Sequence, residues 1–149
     1  MTRKEESVSY FRNSFNCAQS VLSVFHADFN LPEDTVLKIA TAFGGGMGRQ
    51  QFTCGAVTGA LMALGLKYGK GRNDSDEKKK ETYRHTVDFF NEFKKQHGSI
   101  SCRELLEGLD MQNPDDMKEI NRRDMFRTHC EKYVGDAVEI AGKIIGIGQ

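Results

Sequence analysis

The stretch Gly44 to Gly59, reading GGGMGRQQFTCGAVTG, constrains this chain more than any other. Three consecutive glycines and a fourth at Gly48 cannot sit inside a regular helix without a large entropic cost, so they stop whatever helix precedes them. Cys54 follows, and behind it Gly55, Ala56, Gly59 and Ala60 open a run of small residues. A helix with so little side-chain bulk lets another backbone lie close against it. The sequence therefore predicts a loop, a cysteine at a helix start, and a central helix approached tightly by its neighbours. A cysteine in that position feels the positive end of the helix dipole, which favours the thiolate.

The 149 residues suit one domain with a sizeable core, 1–149. The hydrophobic fraction of 38% and the charged fraction of 28% fit a polar globular protein rather than a disordered one. Formal net charge is zero, so no global field recruits nucleic acid. The N-terminus MTRKEESVSYF has no apolar core of a secretory signal, and no apolar run approaches the ~20 residues of a membrane span. A cytoplasmic location is expected. In that compartment four cysteines point to catalysis, metal binding or inert packing rather than permanent disulfides.

Apolar spacing of three and four recurs along the chain, with no strand-like alternation of period two. Residues Glu5 to Arg12 read as a short first helix. Asn16 with Gln19 forms a capping box ahead of Ala18, Val21, Leu22, Phe25 and Phe29, a helix ending near Asn30. Pro32-Glu33-Asp34 starts the next one, which ends at the glycines. Thr53 is expected to cap the central helix, running to about Tyr68 and apolar on most sides, as the buried centre of a bundle is. Asp76 to His97 reads as a long helix packed through Tyr83, Val87, Phe90 and Phe93, with Phe89 beside them. Ser101 and Glu104 box a short helix, a turn of helix follows Pro114, and the last helix runs from about Thr128 to Ile145. The expected architecture is a single all-α bundle of about five or six helices.

Cys17, Cys54, Cys102 and Cys130 contain no CxxC and no CxxCH, so neither a zinc ribbon nor covalent haem is indicated. Their shared feature is placement. Asn16, Thr53 and Ser101 each directly precede a cysteine, and Thr128 with Glu131 makes a further box around Cys130. All four are thus expected at capped helix starts, where local N–H groups would stabilise a thiolate.

These residues resemble a known family. Cys17 within FNCAQSVL, then GGGMG, then the block CGAVTG at Cys54 to Gly59, then Cys102 and Cys130, are similar to the C_GCAxxG_C_C proteins over about Ser7 to Ile144. The resemblance implies a small, cysteine-dependent, redox-active protein whose four family cysteines are these four. Gln50-Gln51-Phe52 departs from the small or acidic residues expected there.

The first functional reading is thiol–disulfide or electron-transfer chemistry, an oxidoreductase role, with Cys54 as nucleophile and Cys17 resolving. No cofactor is required for that. Gly45, Gly46, Gly48, Arg49 and Thr53 would support an anion or a thiolate, the glycines chiefly by letting backbone approach the cysteines. The loop lacks the Lys-Ser/Thr ending of a phosphate-binding P-loop. The second reading makes all four cysteines ligands of zinc or an iron–sulfur cluster. A third is a helical module whose small-residue face packs a partner or a second copy, a homodimer. His129 beside Cys130 is a weaker candidate base, because adjacent helical residues diverge by about 100°. The redox partner is not named by any motif.

Overall fold

The computed structural model describes residues 1–148 and is all-helical. Its α-helices are α1 (Arg3–Arg12), α2 (Cys17–Ser23), α3 (Glu33–Ala40), α4 (Gly55–Tyr68), α5 (Asp76–His97), α6 (Cys102–Leu105), α7 (Pro114–Arg122) and α8 (Glu131–Ile145). That is eight among the described residues, against the five or six expected. The extra ones are short or polar. Thr2 caps α1 with a complete capping box to Glu5. Asn113 caps α7, a nine-residue helix where one turn was expected.

The central helix is α4. Gly55, Ala56, Val57, Gly59, Ala60, Ala63 and Leu64 are buried along it, with α2, α5 and α8 packed around it. Its closest neighbour is α2, and glycine makes that approach feasible. A Cβ on Gly59 would lie 2.7 Å from the carbonyl oxygen of Ala18, and one on Gly55 would lie 3.1 Å from the Ala18 nitrogen. The core around this crossing is Ala18, Val21, Leu22, Phe25, Val57, Ala60, Leu64, Phe89, Phe93, Val134, Ala137 and Ala141. A second, smaller core of Cys102, Leu106, Met111, Ile120 and Met125 lies under the 102–125 segment.

Two sequence expectations are corrected here. The helix begun at Cys17 stops at Ser23. A short 3-10 turn at Ala27–Phe29 follows, closed by Asn30 in the left-handed region at φ 56°. On α5 the packing face is turned by about one residue: Phe89 and Phe93 are buried, while Tyr83 and Val87 are exposed. Both stripes satisfy a helical period, and only the position of α4 and α8 selects between them.

Gly59→Ala tests the α2–α4 contact. The added methyl should cost about 1–3 kcal/mol through overpacking, read as a lower denaturation midpoint at unchanged slope. If the helix-propensity gain of alanine, about 1 kcal/mol, prevails and the protein becomes more stable, the tight crossing is wrong.

Candidate functional site

The glycine loop has a conformation that explains its composition. Gly45, Gly46, Met47, Gly48 and Arg49 all have φ between 58° and 71°, five consecutive residues in the left-handed region. L-residues pay roughly 1–2 kcal/mol each there, and glycine pays almost nothing. Backbone hydrogen bonds lock the turn: the N–H groups of Met47, Gly48, Arg49, Gln50, Gln51 and Phe52 all donate to carbonyls between Ala42 and Met47. Those six donors are therefore not free for a phosphate. Gln51, also left-handed at φ 59°, is buried and fastens the loop to the 109–111 segment. Its amide donates to the Leu109 carbonyl at 2.8 Å and accepts from the Met111 N–H at 2.7 Å. In the sequence Gln51 stands out only as part of the Gln50-Gln51-Phe52 departure from small or acidic residues. A buried glutamine in a glycine loop was the available signal that its amide has two partners to satisfy.

This turn carries the chain back past α6. Thr53 pairs with Ser101 in an isolated antiparallel bridge. The Cys54 N–H donates to the Ile100 carbonyl at 2.8 Å, and the Cys102 N–H to the Phe52 carbonyl at 2.7 Å. The bridge sets Cys54 and Cys102 side by side. Thr53 is thus a bridging residue and not the cap of α4. That position belongs to Cys54 itself, with no side-chain capping bond. Gly46 packs under the same junction, where a Cβ would meet the Cys102 Cβ at 2.8 Å.

Cys17 opens α2 behind the expected Asn16–Gln19 capping box, and Cys102 opens α6 behind Ser101. Cys130 differs from the expectation. It closes a π-turn, Phe126–Cys130, that runs straight into α8, so its backbone is helical and no free helix start faces it. The Thr128 hydroxyl meets His129 Nδ1 at 2.8 Å instead of capping. His129 turns its Nε2 to Glu107 at 2.9 Å, and Arg123 reaches the same carboxylate oxygen at 2.6 Å. His129 is therefore committed elsewhere.

All four cysteines are free thiols and all four line one cavity of about 20 Å³, with Leu105, Leu106 and Tyr133. That is room for about one water. The Tyr133 hydroxyl donates to the Leu105 carbonyl at 2.8 Å. A larger cleft of about 380 Å³ shares Cys17, Cys102, Leu106 and Cys130 with this cavity and opens outward past Phe11, Asn16, Thr41, Gly44, Gly45, Gly48, Arg49, Met111 and Phe126. Cys54 lines only the inner cavity. Among the described residues, no group of three or more His, Cys, Asp or Glu is arranged to hold a metal ion.

Burial, not the helix ends, sets the charge state of the thiols. Desolvation is the largest cause at each and raises all four above the ordinary thiol range. Cys102 is pushed up to about 12, by burial first and by the neighbouring Cys17 second. Cys54 is raised by burial and then by Cys17, with the N–H groups of Ala56 and Val57 opposing. At Cys17, burial is opposed by the backbone N–H groups of Gly45, Cys17, Gly55 and Ala18, which favour its thiolate. The lowering expected from helix starts is present in direction at Cys17 and Cys54, where burial outweighs it; at Cys102 the opposing charge is Arg103, and at Cys130 nothing opposes burial.

The fold and the site together define a helical protein with four free thiols around one small cavity at the base of an apolar cleft. Residues 15–144 match the family described as "Putative redox-active protein (C_GCAxxG_C_C)", and the chain belongs to that family. No curated protein and no solved structure matches it. No helix among the described residues is long and apolar enough to cross a membrane.

The raised thiols fix the sign of a pH effect. A thiol protonated in the folded state but ionised when unfolded makes unfolding release a proton. Stability is then full below the unfolded value of about 8.5 and falls as pH rises towards the folded one. Denaturant titrations from about pH 7.5 to about pH 10.5 should show a steady loss of stability that is shallower in Cys102→Ala. Equal slopes in the two proteins would contradict the buried neutral thiol.

Proposed function

We propose that the protein carries out thiol–disulfide redox chemistry, with Cys17 as the attacking thiol and Cys54 as the resolving one. One observation carries this reading: four thiols share a cavity, and Cys17, Cys102 and Cys130 also face an open cleft. The roles of Cys17 and Cys54 are the reverse of those the sequence suggests. Cys54 is buried and does not reach the cleft, so of these two a disulfide arriving from solvent meets Cys17. The backbone N–H groups around Cys17, from Gly45, Gly55 and Ala18, favour its thiolate and lower the cost of forming it in the transition state.

The steps balance as an ordinary exchange. Cys17 loses its proton to water in the cleft and attacks one sulfur of an incoming disulfide. A mixed disulfide forms and the other sulfur leaves as a thiolate. Cys54, once deprotonated, attacks Cys17 Sγ and releases the second thiolate. Two electrons and two protons pass to the substrate, and a Cys17–Cys54 disulfide remains for a separate reductant to restore. Cys102 and Cys130 flank this pair and could take over the disulfide by further exchange. The raised thiols make such a protein slow at neutral pH and faster in alkali, because only the thiolate attacks. A cytoplasmic setting and a dedicated redox partner belong to this proposal.

Mild oxidation of the reduced protein should give a reversible internal disulfide containing Cys17, visible as a loss of two hydrogens by mass spectrometry. With a small disulfide, Cys54→Ser should stall at a mixed disulfide on Cys17, and Cys17→Ser should react far more slowly than the parent. Equal rates for Cys17→Ser and the parent would overturn the assignment.

A further inference from the structure

The cleft above the thiols has a composition that selects a ligand. Its walls are apolar: Phe11 and Phe126 supply aromatic surface, and Leu106 and Met111 the aliphatic and thioether surface. Its volume of about 380 Å³ lies in the range of small-molecule sites. No acidic residue lines it, and Arg49 is its one cation. The Arg49 guanidinium meets sulfur rather than carboxylate, with Nη2 3.7 Å from Met111 Sδ and 4.0 Å from Met117 Sδ. No carboxylate pairs with it among the described residues. A thioether is a weak acceptor, and Arg49 is exposed, so the remaining guanidinium donors face water at the cleft mouth and can be exchanged for an anion. The left-handed turn holds Arg49 there, at φ 60° on a non-glycine residue. Backbone in that region persists only where its surroundings over-determine it.

We propose that this cleft binds a small molecule with an apolar body and a single anionic group of the carboxylate class. Arg49 takes the charge, and the body lies along Phe11, Leu106, Met111 and Phe126 over Cys17. The inference rests on the thiol–disulfide reading in one respect: it names the class of molecule delivered to Cys17. A charge-assisted, two-pronged contact is what a guanidinium offers a carboxylate. A peptide thiol of the glutathione kind is a poor match. It carries two carboxylates and an ammonium, and the cleft offers one cation and no acid. A neutral apolar molecule would make no use of Arg49.

Octanoate is a suitable probe, because it has this shape and no redox chemistry, and octanamide is its neutral counterpart. Calorimetric titration of the reduced protein should show saturable binding of octanoate, with octanamide weaker by about tenfold, the worth of one charge-assisted contact. Octanoate should also slow alkylation of Cys17 by iodoacetamide. Arg49→Met keeps a long, unbranched side chain at the same backbone position. It should melt like the parent and lose the preference for octanoate over octanamide. Equal binding of the two probes, a preference that survives in Arg49→Met, or Cys17 alkylation indifferent to octanoate would each overturn the inference. The two readings fail separately. A protein that forms its internal disulfide but ignores octanoate retains the redox role and loses this ligand class. One that binds octanoate through Arg49 yet forms no internal disulfide retains the ligand site and loses the redox role.

Discussion

The thiol cavity depends on how closely α2 can lie on α4. That distance is set by two missing methyl groups, at Gly55 and Gly59. With them absent, the start of α2 slides over the start of α4 until Cys17 Sγ is 3.2 Å from where a Gly55 Cβ would be. The remaining pieces close around this contact. The left-handed turn at 45–49 reverses the chain in minimal space and brings the Gly45 backbone beside Cys17, where its N–H favours the thiolate. The Thr53–Ser101 bridge brings α6 and Cys102 alongside Cys54. The π-turn before α8 delivers Cys130 from the fourth direction.

At Cys17 and Cys54, two effects act on the thiol with opposite sign. A helix start favours a thiolate by up to about 2 kcal/mol in a favourable, partly buried geometry. Burial shifts a fully enclosed group by up to about 3–5 pKa units, at about 1.4 kcal/mol per unit. Burial is the larger, and the thiols rest as neutral, weakly polar filler in a small cavity. The N–H groups around Cys17 then matter for reactivity rather than for the resting state. They do not ionise the thiol, but they lower the cost of ionising it when an acceptor sulfur arrives. Cys17 is further separated from Cys54 by position, since Cys54 lies behind it with no face on the cleft.

Much of this was legible in the sequence because it is local. The Asn16–Gln19 box, the Ser101 cap, the stop at the glycines and the reach of the long helix from Asp76 to His97 follow from residues a few positions apart. The four cysteines could be singled out by type and by their family pattern. Other features depend on distant segments. Which stripe of α5 faces inward is decided by α4 and α8, so Tyr83 and Val87 were misplaced. The cap expected of Thr53 gave way to a bridge with Ser101, nearly fifty residues on. Cys130 entered a continuous helix because the 126–130 segment widens into a π-turn, a feature with no short sequence signature. Solvation of the thiols was the least legible of all, since it depends on how many atoms of other elements crowd each sulfur.

Everything above turns on the four thiols lining a single cavity in the reduced protein. Cysteine-selective labelling and proton–proton Overhauser measurements on the four β-methylene groups test it most directly. Cross-peaks should link Cys17 to Cys54, Cys102 and Cys130 in the folded, reduced state and vanish on unfolding. A folded protein in which the Cys17 β-protons show no contact with any other cysteine would contradict it.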